Sequence, residues 1–233
     1  MKNWKHILRD VVSLFYPEIC YGCGQSLLER NKTICFQCRH ALVPTHYPES
    51  SDNPVFRRFL GRTHFQQAAS VFYFHKESPI QYLLHALKYS GQTRLGYDLG
   101  TLMGNECANC SWISEADLLI PVPLAAKKQR QRGYNQSEYL TAGLANTLNL
   151  KWSSQVVIRS RYTQSQTRMN IEERMKNMQN AFAVTHPAML KDKRIILIDD
   201  VMTTGATLES LANCILQYPV HSVSALTLAC AID

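Results

Sequence analysis

The stretch Arg194–Thr207, which reads RIILIDDVMTTGAT, constrains the fold of this chain more than any other segment. Its apolar run Ile195–Ile198 is typical of a strand that is buried on both faces of a parallel sheet. We expect this strand to end at Asp199 and Asp200, because carboxylates do not follow a strand into a core. The carboxyl ends of such strands are where open α/β sheets bind ligands. The segment Thr203–Thr207 then predicts a turn, and apolar residues at helical spacing predict a helix behind it.

The composition of this turn is suited to a phosphate. Hydroxyl groups, N–H groups and a glycine stand before a helix amino terminus, where unpaired N–H groups and the helix dipole attract an anion. The two carboxylates before the turn can accept hydrogen bonds from sugar hydroxyls. The combination therefore predicts a 5-phosphorylated ribose as the ligand. A Walker A loop is excluded, because no Gly-Lys-Ser/Thr is present.

Ile195–Thr207 resembles the phosphoribosyl pyrophosphate (PRPP) loop of the type I phosphoribosyltransferases, which has four apolar residues, two acidic residues and a Thr-Thr-Gly-x-Thr loop. The resemblance implies that Asp199 and Asp200 hold the ribose hydroxyls and, in an active enzyme, contact the transition state. It also implies Mg²⁺ bound with PRPP, and a doubly wound α/β fold with a mainly parallel sheet. Strands and helices alternate along the chain, as such a sheet requires. The residues that would surround the 5-phosphate are Val201, Met202, Thr203, Thr204, Gly205, Ala206 and Thr207.

Four of the eight cysteines form two Cys-x-x-Cys pairs, Cys20 with Cys23 and Cys35 with Cys38, separated by eleven residues. Four thiolates complete a tetrahedral shell with no open position, so the spacing predicts a structural Zn²⁺ site. An iron–sulfur cluster and two redox pairs remain alternatives.

The composition predicts two units. A chain of 233 residues that is 45% apolar can build one domain and a small appendage. The segment His40–Arg62 is polar and contains three prolines, so we interpret it as a linker. This predicts an amino-terminal module at residues 1–62, made of a helix, the cysteine site and the linker, and a phosphoribosyltransferase-like domain at residues 63–233.

Two further patterns have a structural interpretation. Apolar residues at helical spacing in Met1–Tyr16 predict an amphipathic helix, which either packs on the following module or lies on a membrane surface. Cys107 and Cys110 have no neighbours in sequence that complete a zinc shell, and we interpret this pair as a helix end.

The charge and hydropathy of the chain indicate its partners and its compartment. The formal net charge is +7 and the pI is about 9.0, which favours anionic partners such as single-stranded DNA or a phosphate ester. No apolar run approaches the ~20 residues that span a bilayer, and the amino terminus lacks the pattern of a signal peptide. Together with cysteines interpreted as metal ligands, this predicts a cytoplasmic protein without a membrane span.

Two polar segments are candidates for ligand contact. Lys127, Lys128, Arg130 and Arg132 predict a basic turn before a helix, either a contact for an anion or a solvated patch. The segment Tyr162–Asn180 contains few apolar residues and is either a cover ordered by substrate or a disordered loop. Its candidate contacts, with the residue preceding it, are Arg161, Gln164, Arg168 and Arg174.

Beyond the loop, most of the chain resembles the ComF family, together with the related GntX-type proteins. The resemblance is carried by the four-cysteine motif, Leu87-Lys88-Tyr89, Pro121-Val-Pro123, Arg130–Gln136, Thr163-Gln164, Arg174, Asn177, Phe182 and the loop.

The family resemblance implies a competence factor of natural transformation that binds PRPP or a related phosphosugar. Its ligand-binding residues would include Lys88, Arg130 and Arg132, and its partners would be single-stranded DNA and a competence helicase or another DNA-processing protein. The alternative is a salvage-type phosphoribosyltransferase with an unidentified acceptor. An amidophosphoribosyltransferase is not expected, because Cys20 is part of a cysteine pair and no glutaminase half is encoded.

Overall fold

A computed structural model describes residues 18–27, 29, 32–159 and 181–231. The strands are β1 (Ala68–Tyr73), β2 (Leu118–Pro121), β3 (Val157–Arg159), β4 (Phe182–Val184), β5 (Arg194–Met202) and β6 (Ser222–Cys230). Four of them form a parallel sheet in the order β1–β6–β5–β2, and the two short strands β3 and β4 pair antiparallel outside it. This confirms the predicted α/β fold with a parallel sheet.

Strand β5 is a central strand, and alternate side chains enter two different cores. Ile196 and Ile198 lie in the core on one face, whereas Ile195 and Leu197 lie in the core on the other. The continuous apolar run thus has the predicted cause, because a parallel strand covered on both faces has no solvent side.

Helices cover both faces of the sheet. They are α1 (Phe36–His40), α2 (Pro54–Arg57), α3 (Pro79–Tyr89), α4 (Thr93–Glu106), α5 (Ser111–Ser114), α6 (Ala126–Arg132), α7 (Gln136–Leu148) and α8 (Ala206–Ile215), with 3₁₀ turns at Tyr47–Glu49 and Pro187–Met189. Residues of α3, α4 and α7 line the first core, and residues of α8 line the second. Helices α4 and α7 approach closely, since a Cβ at Gly143 would lie 2.1 Å from the carbonyl oxygen of Tyr97.

The expectation that β5 ends at the two aspartates is wrong. The strand continues to Met202, because β6 is equally long and offers partners to the end: Asp199 pairs with Thr227 and Met202 with Cys230. Asp200 is also inside the structure, with 6% of its surface exposed. Its carboxylate has partners there, which offsets the cost of removing it from water.

The segment between the cysteine site and β1 packs against the rest of the chain. Leu42 belongs to the first core, and Val55 and Phe59 belong to the second. The Asn53 side chain accepts the N–H groups that begin α2 and donates to the carbonyl of Ala68 at 3.0 Å, which fixes this segment beside β1.

Two predicted segments lie outside the described residues, namely the amino-terminal helix and the polar stretch that contains Arg161, Gln164, Arg168 and Arg174. Within the described part of the chain, no helix combines the length and the apolar character that crossing a membrane requires.

Candidate functional site

Two adjacent carboxylates lie near the carboxyl end of β5, where α3 ends and α7 begins. Asp199 Oδ1 accepts hydrogen bonds from Ser137 Oγ at 3.0 Å and from the N–H of Asp200 at 2.9 Å. Asp200 Oδ2 lies 2.9 Å from Lys88 Nζ and accepts from Gln136 Nε2 at 3.3 Å. The fold therefore gives Asp200 a cationic partner and Asp199 a hydroxyl partner.

The surroundings of Asp199 change its protonation. Burial, to which the negative charge of Asp200 adds, raises the pKa of Asp199 to about 7. The hydrogen bonds from Asp200 N–H and Ser137, and the charge of Lys88, oppose this shift without cancelling it. Near neutral pH, Asp199 can consequently hold or release a proton, so it can accept a hydrogen bond from a ligand hydroxyl or donate one.

The loop that follows β5 is built around Gly205. This residue has φ of +77°, and a Cβ on it would lie 2.6 Å from the ring of buried Phe59. Glycine is therefore required for both the backbone angle and the space. Thr204 Oγ1 accepts from the N–H of Ala206 at 3.4 Å, where the ten-residue helix α8 begins.

Two arginines bind this loop through its carbonyl groups. Arg58 Nη1 donates to the carbonyl of Thr203 at 2.7 Å, and Arg62 Nη1 donates to the carbonyl of Thr204 at 3.4 Å. Arg62 also pairs with Glu209 of α8. In a trans peptide the N–H points away from the C=O of the same peptide group. The N–H groups of Thr204 and Gly205 therefore point to the side of the loop that faces away from the two arginines.

The predicted basic turn is instead a helix of its own. Helix α6 ends at Arg132 and is capped by Gly133, which has φ of +79°, and Lys127, Lys128 and Arg130 are exposed on the helix. Arg132 at its end donates to Gln136 Oε1 at 2.9 Å, and its guanidinium lies 5.4 Å from the centroid of the Tyr89 ring. Of the predicted cations, Lys88 thus contacts the acid pair directly and Arg132 reaches it through Gln136.

Several residues of the site were missed by sequence reasoning. Gln136 and Ser137 begin α7, where Asn135 caps the helix by accepting from the N–H of Ser137 at 3.2 Å. The sequence Asn-Gln-Ser-Glu is typical of a helix start. It could have been used to predict that these side chains lie at the edge of the sheet where ligands bind. No comparable signal marks Arg58 and Arg62, because their role depends on a contact across 145 and 142 positions.

The four cysteines of the amino-terminal motif converge, as their spacing predicts. The sulfur atoms of Cys20, Cys23, Cys35 and Cys38 all lie within 4.8 Å of one another, so the group could hold a metal ion. The N–H of Cys35 donates to Cys20 Sγ at 3.2 Å, and that of Cys38 donates to Cys35 Sγ at 3.3 Å. Burial opposes ionisation of Cys20, but N–H groups of Cys35, Gly22 and Cys23 lower its pKa to about 7. These N–H groups favour the thiolate, which is the form that binds a metal.

The cysteine cluster contacts the main sheet domain through α4, since Thr33 Oγ1 donates to Asp98 Oδ2 at 2.8 Å. Cys107 and Cys110 lie apart from the cluster. Cys107 ends α4 and Cys110 precedes α5, both buried in the first core, in agreement with their interpretation as a helix end.

The parallel sheet, the acid pair and the loop before α8 define a class of protein with a phosphoribosyltransferase-type domain. Residues 135–231 match the family described as the phosphoribosyl transferase domain. This range includes Ser137, the acid pair and the whole loop.

Known proteins are similar to nearly the whole chain. It is 30% identical over 214 residues to the DNA utilization protein YhgH of Escherichia coli O6:H1, covering 91% of this chain and 89% of that protein. It is 28% identical to competence protein F of Haemophilus influenzae, covering 92% and 98%, and 26% identical to competence protein ComFC of Bacillus subtilis, covering 91% and 83%. The chain belongs to the ComF family.

Proposed function

We propose that this protein is a ComF-like competence factor of natural transformation, acting in the cytoplasm, that binds PRPP or a related phosphoribosyl ligand. The observation that carries the proposal is the position of Asp199 and Asp200 beside the loop Thr203–Thr207. The acids are suited to ribose hydroxyls, and the N–H groups of the loop and of α8 to a 5-phosphate. We infer the cellular role from the relatives that are named as competence proteins.

Cations near the acid pair suit the second anionic group of PRPP. Lys88 is bound to Asp200, and Arg132 lies one side chain further away. A pyrophosphate would compete with Asp200 for the Lys88 ammonium, and the planar guanidinium of Arg132 or of exposed Arg130 is shaped for phosphate oxygens. Mg²⁺ bound with PRPP would neutralise part of the pyrophosphate charge.

The four-cysteine cluster is proposed to hold a structural Zn²⁺. Four cysteine sulfurs would fill the tetrahedral shell, so no position remains for a substrate. The N–H groups that donate to Cys20 and Cys35 would satisfy the negative charge of metal-bound thiolates.

Single-stranded DNA is the proposed macromolecular partner, with a competence helicase or another DNA-processing protein as a second partner. The supporting features are the net charge of +7 and the exposed cations of α6. A surface of this kind follows a phosphate backbone without reading sequence.

A second candidate is an active salvage-type phosphoribosyltransferase that transfers the ribose to an unidentified acceptor. The observation that favours it is the raised pKa of Asp199, which lies beside the second carboxylate Asp200. Such a pair can stabilise the positive charge that develops on the ribose ring while one member holds a proton.

Calorimetry with PRPP and Mg²⁺ tests the ligand, and a pyrophosphate-release assay then separates binder from enzyme. Saturable PRPP binding that is weakened by Thr204→Ala is expected, because Thr204 is exposed on the loop and accepts the first N–H of α8. Absence of binding at millimolar PRPP would refute the assignment. Pyrophosphate release with any nucleobase or DNA acceptor would establish the enzymatic alternative.

A further inference from the structure

Helix α3 presents aromatic rings to solvent on the face opposite its core face. Tyr82, His85 and Tyr89 follow one another at positions i, i+3 and i+7, so they lie on one side of the helix, here called the aromatic strip. Tyr82 is 51% exposed and Tyr89 is 61% exposed. The other side of α3 already contributes Leu83, Leu84 and Leu87 to the first core, so packing does not require the rings of the strip.

The aromatic strip is continuous with the basic helix α6. The rings of His85 and Tyr89 are 4.8 Å apart between centroids, and the guanidinium of Arg132 lies over the Tyr89 ring. Arg132 is the last residue of α6, whose other cations are exposed. Flat aromatic rings and a row of positive charges thus share one surface.

We propose that the aromatic strip is the surface on which bases of single-stranded DNA stack, while the phosphates follow the cations of α6. This inference rests on the DNA part of the proposed function and names the surface that performs it. Exposed rings separated by one or two helical turns offer π faces to successive unpaired bases, and adjacent cations complement the backbone charge. Duplex DNA keeps its bases stacked and cannot use the rings. If the aromatic strip instead bound a protein partner, the affinity of this chain for DNA would not depend on whether the strand carries bases.

Binding measurements with three probes test this assignment: a labelled thymidine oligomer, an abasic strand of the same length and a duplex. We expect the wild-type protein to bind the thymidine oligomer roughly tenfold more tightly than the abasic strand, since each base stacked on a ring contributes binding free energy. Tyr82→Leu with Tyr89→Leu should abolish this preference and leave the salt dependence unchanged. Tyr82→Phe with Tyr89→Phe keeps the rings and should keep the preference.

Two matched variants separate stacking from charge. Lys127→Gln, Lys128→Gln and Arg130→Gln together should reduce the salt slope by about 2, at roughly 0.7 per phosphate contact, and preserve the preference for bases. Trp152→Leu removes a ring that is 39% exposed beside β2, outside the strip, and should change neither property.

Equal wild-type affinity for the thymidine and abasic strands would overturn the proposal. Retention of the preference in the leucine double variant, folded by circular dichroism, would overturn it as well. Absence of any DNA binding would overturn it together with the DNA part of the proposed function, whereas PRPP calorimetry decides the ligand part separately.

Discussion

At the scale of single residues, Asp199 and Asp200 show how adjacent, identical side chains acquire different properties. The Lys88 ammonium lies 2.9 Å from Asp200 and compensates its burial. Asp199 has hydrogen bonds from a hydroxyl and an N–H group, which do not supply a full opposite charge. Its ionised form is therefore the costly one, as the raised pKa records.

Opposite effects on stability are expected from Asp199→Asn and Asp200→Asn at pH 8. The native state holds a proton on Asp199 that the unfolded state releases, so the free energy of unfolding should fall as pH rises from about 4 to about 7 and change little above. Asp199→Asn removes this pH-dependent loss of stability and should raise the free energy of unfolding by on the order of 2 kcal/mol at pH 8. Asp200→Asn leaves the partly exposed Lys88 ammonium without its carboxylate and should lower the free energy of unfolding by about 1–3 kcal/mol. Urea unfolding at pH 5 and pH 8 measures both, and effects of the same sign at pH 8 would contradict the assignment.

Gly205→Ala should destabilise more than Gly133→Ala. Both glycines have positive φ, +77° and +79°, so each alanine loses about 1–2 kcal/mol from backbone strain. Only the alanine at 205 must also displace the Phe59 ring, whereas nothing lies within 4 Å of a Cβ at 133. Overpacking adds about 1–3 kcal/mol at position 205. Equal free energies of unfolding for the two variants would show that Phe59 does not support the loop.

At the scale of elements, the short helix α2 and the residues after it support the loop Thr203–Thr207, the candidate site of the 5-phosphate. Phe59 is buried beneath Gly205, and Arg58 and Arg62 bind the loop carbonyls. The segment expected as a linker thus contacts the candidate site. A binding loop that is held in place before the ligand arrives loses less conformational freedom on binding.

Arg58→Ala should weaken the binding of ribose 5-phosphate by about tenfold, because the loop loses its fixed carbonyl orientation. Pyrophosphate does not need the 5-phosphate loop, so its affinity should be unchanged. Arg57→Ala is the matched control, since Arg57 is exposed and pairs with Asp52 at 2.6 Å, not with the loop. Calorimetry with each ligand checks this, and equal weakening of both ligands would indicate a general loss of structure.

Loss of the metal should unfold the cysteine module and spare the sheet. Cys35→Ser with Cys38→Ser removes two of four ligands, and metal binding contributes folding free energy to such modules. Hydrogen exchange should lose protection mainly in residues 18–41, because beyond them Val43 and Thr45 form backbone hydrogen bonds with β1. Elemental analysis should find one zinc per wild-type chain and none in the variant. Zinc retained in the variant would refute the ligand set.

At the scale of the whole molecule, the candidate phosphoribosyl site and the aromatic strip are neighbours. Lys88 contacts Asp200, and the next residue, Tyr89, belongs to the strip. Arg132 contacts Tyr89 on one side and Gln136, a partner of Asp200, on the other. PRPP and single-stranded DNA bound in these positions would compete for the same cations, Lys88 and Arg132.

Saturating PRPP with Mg²⁺ should therefore lower the affinity for single-stranded DNA. Linkage requires DNA to lower the affinity for PRPP by the same factor. Titrations of each ligand with and without the other measure both factors. Unchanged affinities in both directions would show that the two sites are energetically independent.

Features that are encoded within a few neighbouring residues could be predicted from the sequence alone. The apolar run of β5, the turn before α8 and the convergence of four cysteines each follow from local periodicity, backbone freedom or ligand spacing. The end of β5 could not be predicted in this way, because it depends on pairing with the distant strand β6. Gln136, Ser137 and Arg58 could not be assigned to the site from sequence either, since they reach it across long stretches of chain. These side chains are brought together by the packing of the helices and of residues 42–62 on the sheet. The spacing of residues along the chain does not encode this packing.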